Sequence, residues 1–118
     1  VVLVVEDEAS VLRLVRRVLE GEGLVVLSAQ DAEEALLLSS QHAGAIDLLL
    51  TDVVMPGLNG VELAKRVGAE RPHVHVLFMS GYADHALVQR DIIDAGRPFL
   101  QKPFAPDRLL ARVRAVVA

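Results

Sequence analysis

The sequence predicts a doubly wound α/β domain: one five-stranded parallel sheet in the order 2-1-3-4-5, with helices on both faces. Three observations predict it. Short Val, Leu and Ile runs, such as residues 1–5 and 46–50, are apolar at every position, as expected of strands buried on both faces. These runs alternate with stretches whose apolar residues recur at helical spacing, and strands joined by helical crossovers run parallel. The 118 residues suffice for five such units, whereas a barrel of eight would need about 250.

Residues 1–5 form the first strand. Val11, Leu12, Val15, Val18 and Leu19 make the stripe of a helix that Gly21 and Gly23 stop. Residues 24–27 are the second strand. Asp31 with Glu34 has capping-box spacing and opens a helix to about Gln41. Residues 46–50 are the third strand, followed by a turn at Met55-Pro56-Gly57. Asn59 with Glu62 opens the next helix, whose buried side is Val61, Ala64 and Val67. Residues 74–79 are the fourth strand. Gly81 breaks it, Asp84 is placed to cap, and residues 84–94 read as a helix of weaker periodicity. Residues 98–100 are a short fifth strand. Pro106 suits the first turn of a last helix, with the stripe Leu109, Leu110, Val113, Val116 and Val117. Right-handed crossovers then favour the flavodoxin-like (βα)5 three-layer sandwich, as one domain over 1–118.

Composition narrows the function. The chain is 53% hydrophobic but only 3% aromatic, so its core is aliphatic. A net charge of −4 and four aromatics make a poor nucleic-acid binder. The absence of cysteine excludes disulfides, thiolate metal sites and Cys nucleophiles. No apolar run approaches the roughly 20 residues of a membrane span, and no signal peptide is visible, so a cytoplasmic location is expected. The chain begins at Val1 already inside an apolar run, which reads as a domain cut from a longer protein or as a trimmed chain. Charge is uneven: residues 1–59 carry net −7 and residues 60–118 net +3.

In such a sheet, ligands bind beyond the carboxyl ends of the strands, at the switch point between strands one and three. Glu6, Asp7 and Glu8 follow strand one, Thr51 and Asp52 strand three, Ser80 and Gly81 strand four, and Lys102 and Pro103 strand five. Carboxylates gathered so closely raise one another's pKa unless a cation neutralises them. Lys102 supplies one charge. An all-oxygen ligand set then favours Mg²⁺, Mn²⁺ or Ca²⁺. With Mg²⁺ and a phosphate, Asp52 is a candidate nucleophile on phosphorus, while Lys102 and Ser80 serve the peripheral oxygens. Lys102 is one of only two lysines against ten arginines, which suits a compact point charge. Single acids at a strand end are usually helix caps; three acids, a hydroxyl and a lysine on one edge outweigh that explanation. His73 and His75 lack a third metal ligand and read as solvated, as do Arg108, Arg112 and Arg114. The eight glycines form no phosphate-cradling loop or dinucleotide fingerprint.

The segments Val4-Val5-Glu6-Asp7-Glu8, Leu50-Thr51-Asp52-Val53-Val54-Met55-Pro56-Gly57, Phe78-Met79-Ser80-Gly81 and Leu100-Gln101-Lys102-Pro103-Phe104 resemble the receiver domain of two-component response regulators, most closely receivers of hybrid sensor histidine kinases. The resemblance covers the whole chain. It implies that Asp52 is the phosphoacceptor, and that Glu6, Asp7, Asp52 and the backbone carbonyl of Val54 hold Mg²⁺, with Mn²⁺ as the alternative. Lys102 would contact the phosphoryl group, Ser80 and Phe99 would act as switch residues, and Val54 and Tyr82 would tune hydrolysis. The Lys102–Pro103 bond would be cis. Glu6 departs from the commoner Asp by one methylene, and Ser80 replaces the commoner Thr. The implied partner is a histidine kinase or histidine phosphotransfer domain. Output would go to a fused or separate domain, or to a second copy, through the face of the fourth helix, fifth strand and fifth helix. The domain would catalyse its own phosphorylation and dephosphorylation, be no separate enzyme, and neither bind nucleic acid nor insert into membrane. It would be cytoplasmic, or the cytoplasmic portion of a membrane sensor kinase. A haloacid-dehalogenase-type hydrolase would want an acid at Val54. A flavin-binding module would find its phosphate repelled by residues 6–8. A phosphorylation-independent module usually loses acidic or Lys positions, and none is lost here.

Overall fold

Two stretches with no polar side chain to offer water, Val2–Val5 and Leu48–Leu50, are the natural centre of a sheet covered on both faces. The computed structural model describes residues 1–81 and 95–117. Its elements are β1 (Val2–Val5), α1 (Ala9–Gly21), β2 (Val26–Ala29), α2 (Ala32–Gln41), β3 (Leu48–Asp52), α3 (Gly60–Glu70), β4 (His75–Ser80), β5 (Phe99–Gln101) and α4 (Pro106–Val117). The strands are parallel in the order β2-β1-β3-β4-β5, as expected. Alternate residues of each strand feed two aliphatic layers. Leu3, Val5, Leu49 and Phe78 pack against α2 and α3. Val4, Leu50, Leu77, Met79 and Leu100 pack against α1 and α4. The predicted helix over 84–94, with Asp84 and Tyr82, lies outside the described residues.

Local signals place the helix ends. The Asp31 carboxylate accepts the Glu34 N–H at 2.7 Å, and the Asn59 side chain accepts that of Glu62 at 2.9 Å. Beyond α1, Gly23 adopts φ +83°, and the Gly23 and Leu24 amides donate back to Glu20 and Leu19. That is a Schellman stop, which needs a left-handed residue.

Strand limits differ from expectation. β3 covers 48–52 rather than 46–50, β4 covers 75–80 rather than 74–79, β5 covers 99–101 rather than 98–100, and β2 covers 26–29 rather than 24–27. β1 starts at Val2. Apolar runs report burial, whereas the ladder follows backbone hydrogen bonds, so it continues through the polar residues Thr51, Asp52, Ser80 and Gln101. Leu24 is lost to β2 because its amide completes the stop of α1. On α3 the buried stripe is Gly60, Leu63, Ala64 and Val67; Val61 stands one position off it and is half-buried.

Arg71, just after α3, ties the far end of the domain. Its guanidinium donates to Ser39 Oγ at 3.1 Å and to the carbonyls of Ser39, His42 and Gly44 at 2.8–2.9 Å. These include carbonyls at the C-terminus of α2 that have no partner within the helix. Replacing Arg71 by Ala orphans them. The expected loss is about 1–3 kcal/mol of stability, seen in urea unfolding as a lower midpoint with unchanged m-value.

Candidate functional site

Strand register brings the polar residues together. Val5 lies beside Thr51, so Glu6 comes level with Asp52. Asp52 pairs with Met79, so Ser80 stands one residue further out, and Ser80 pairs with Gln101, which places Lys102 next. α1 leaves β1 for one face of the sheet and α3 leaves β3 for the other. Neighbouring strands whose helices diverge leave a crevice between them. It has a volume of about 480 Å³ and is lined by Glu6, Asp7, Glu8, Asp52, Val54, Met55, Pro56 and Lys102.

Glu6 is fully buried, Asp52 is 7% exposed, and Asp7 stands in the open. Lys102 bridges the two buried acids. Its ammonium donates to Glu6 Oε1 and, at 3.1 Å, to Asp52 Oδ2. Burial pushes the Glu6 carboxyl up to about 8, and the adjacent Asp52 carboxylate pushes the same way against the opposing ammonium. Burial alone would lower Lys102. The bond and charge of Glu6, with those of Asp52, outweigh it and hold the ammonium above its usual value.

The second Glu6 oxygen, Oε2, is buried without a hydrogen-bond partner, an arrangement that is costly unless a donor or cation answers it. One carboxylate oxygen from each of Glu6, Asp7 and Asp52 falls within a 4.8 Å group. Three hard oxygen donors, with an unanswered Glu6 oxygen among the same side chains, fit a divalent cation of the Mg²⁺ kind.

Glu6, Asp7, Asp52, Val54 and Lys102 therefore share one crevice. Asp52 and Ser80 lie on the last rungs of β3 and β4 rather than in loops after them, and Ser80 is 1% exposed. Phe99 is half-buried two residues further down β5, beside Phe78, whose ring carries the Arg97 guanidinium 5.8 Å above it. The Lys102–Pro103 bond is cis. Glu8 occupies the N-cap position of α1 without a side-chain cap bond.

Two glycines at the site carry more than turn propensity suggests. A Cβ on Gly81 would stand 2.5 Å from Lys102 Cβ, and one on Gly60 would stand 2.0 Å from the Asp52 carbonyl oxygen. A glycine at the first position of α3, where better helix formers abound, is the only sequence hint of such an approach.

A family model described as "Response regulator receiver domain" matches residues 2–114. The chain is 34% identical over 116 residues to the sensor kinase CckA of Brucella abortus, covering 98% of this chain and 12% of that protein. The solved receiver domain of the hybrid histidine kinase CckA superposes with a TM-score of 0.81 at 35% identity, over 99% of this chain and 98% of that one. The receiver domain of NtrX from Brucella abortus gives 0.85 at 29% identity, over 99% and 98%. The chain spans from 12% to about half the length of the curated relatives it matches.

The raised Glu6 carboxyl fixes a sign for pH dependence. A folded state that holds a proton more tightly than the unfolded chain loses stability as pH rises from the unfolded value, 4.5, to about 8. In chelator, the melting temperature is expected to fall by about 5–10 °C between pH 5 and pH 8. Glu6→Gln flattens that fall, as thermal scans across the range would show.

Proposed function

The chain belongs to the response regulator receiver domain family, and from that premise we propose that Asp52 accepts a phosphoryl group from a phosphohistidine of a histidine kinase or histidine phosphotransfer domain. One observation carries the assignment: Asp52 is the acid in the crevice that shares a part-buried lysine with Glu6 while keeping 7% of its surface open to an incoming group.

In this step an Asp52 carboxylate oxygen attacks phosphorus in line with the departing imidazole. The new O–P bond forms as the P–N bond breaks, and the imidazole nitrogen keeps the electron pair. The product is an acyl phosphate on Asp52. Lys102 is already fixed by Glu6, so its ammonium can turn from Asp52 to a phosphoryl oxygen without leaving the crevice. Ser80, at the end of β4, offers its hydroxyl to another. Glu6, Asp7, Asp52 and the Val54 carbonyl are the groups that would hold Mg²⁺, or Mn²⁺. Such an ion, when bound, neutralises charge on the phosphoryl oxygens.

Val54, Met55 and Pro56 wall the crevice with apolar surface. An apolar residue two positions beyond the acceptor gives an attacking water no hydrogen-bond partner, so Val54, together with Tyr82, prolongs the acyl phosphate. Movement of Ser80 toward the phosphoryl group, followed by Phe99, would repack the face of β5 and α4. Phosphate drives that change only by binding the repacked state better. This face is the surface for an output domain or a second copy. On the donor side, a hollow of about 300 Å³ adjoins Lys102 between α1 and the segment before α4. Val11, Leu14, Pro103 and Phe104 line it, and Leu14 is 44% exposed, which suits the apolar face of a partner helix. Among the described residues no helix is long and apolar enough to cross a membrane. A cytoplasmic setting, free or within a hybrid sensor kinase, completes the proposal.

Incubation with Mg²⁺ and a small acyl phosphate should add one phosphoryl mass to the parent and none to Asp52→Asn. No adduct on the parent, or equal adducts on both, would overturn the assignment. Val54→Asn should shed the group several-fold faster; loss at the parental rate or slower would sink the shielding role of Val54.

A further inference from the structure

Gly60 is the first residue of α3, and the helix there rests on the end of β3. A Cβ at this position would lie 2.0 Å from the Asp52 carbonyl oxygen, 2.9 Å from its carbonyl carbon and 3.0 Å from Val53 Cα. Non-bonded heavy atoms do not approach to 2.0 Å, so only a residue without a side chain fits. The peptide it meets is held from several directions. The Gly60 N–H donates to the Val53 carbonyl at 2.7 Å, and the Val53 N–H donates to the Met79 carbonyl of β4 at 2.9 Å. The Thr51 hydroxyl donates to the Asp52 carbonyl at 2.9 Å.

We propose that Gly60 is a positioning residue for the phosphoryl acceptor. By letting α3 sit directly on the Asp52–Val53 peptide, it fixes the backbone that aims the Asp52 carboxylate and leads into Val54. The proposal rests on Asp52 being the acceptor. Helix formation does not explain the glycine, since alanine favours a helix more. Packing of α3 in general does not explain it either, because a Cβ on Gly68 in the same helix meets nothing within 4 Å. A methyl group at position 60 must displace the helix or the peptide by about 1 Å, and misplacement of that order in a reacting group is worth on the order of 10²-fold in rate.

Three variants test it: Gly60→Ala, Gly68→Ala and the double substitution. Melting temperature, Mg²⁺ affinity by calorimetric titration, and the rate of adduct formation against acyl-phosphate concentration are read for each. Gly68→Ala should raise the melting temperature and leave the rate alone. Gly60→Ala should lower the melting temperature and slow adduct formation by about 10–100-fold. The double variant should regain melting temperature, bind Mg²⁺ more weakly than the parent and remain slow. It also carries the test if Gly60→Ala alone does not fold. Recovery of rate together with stability in the double variant would reduce Gly60 to a structural role and overturn the proposal. So would parental rate, or a raised melting temperature, in Gly60→Ala. Absence of an adduct on the parent would instead strike at Asp52 as acceptor, and the positioning role would fall with it.

Discussion

Two carboxylates, on Glu6 and Asp52, are held out of water at the ends of two adjacent interior strands, and a single ammonium on Lys102 answers both. That imbalance governs the rest of the site. It raises the Glu6 carboxyl, leaves one of its oxygens without a donor, and makes the crevice receptive to further positive charge. It also constrains the fold. The acids come level only because β1 and β3 pair in one register, with Val5 beside Thr51. A slip of one residue would turn one acid into an aliphatic layer. The aliphatic sheet is thus the frame that makes an unfavourable charge arrangement reproducible, consistent with local rules being broken where function lies.

Much of this was readable in the amino-acid order. The helix starts at Asp31 and Asn59 were, because a cap is satisfied within three residues of itself. The cluster of Glu6, Asp7, Asp52 and Lys102 was, because each follows or ends an apolar run and the strand order brings those ends to one edge. The strand limits were not. Hydropathy changes at Thr51, but the ladder does not, so Asp52 and Ser80 are strand residues and inherit the strands' rigidity. Contacts between elements distant in the chain left no mark either. Arg71 reaches carbonyls 27 to 32 residues away that any sequence could supply. Gly60 and Gly81 are indistinguishable in composition from glycines that merely turn the chain, and only the packed structure shows that backbone or side-chain atoms fill the space a Cβ would need.

The site also explains why the exposed acid differs from the buried ones. Asp7 contributes to the same group of oxygens yet stands in water. An exposed carboxylate adds negative potential at the mouth without adding to the desolvation already borne by Glu6 and Asp52. The division of labour is spatial. Interior acids set the geometry of the floor, and the outer acid adjusts charge at the entrance.

The strand that carries the lysine is unlike those that carry the acids. β5 has three residues and stands at the margin of the sheet, whereas β1 and β3 are flanked on both sides. Marginal strands open with less free energy than central ones. The distance between the acids is therefore set by the part of the domain that yields last, and the position of their shared counter-charge by a part that yields early. Mechanically, the two acids and their shared counter-charge rest on strands of unequal support, a doubly flanked pair on one side and a three-residue margin on the other.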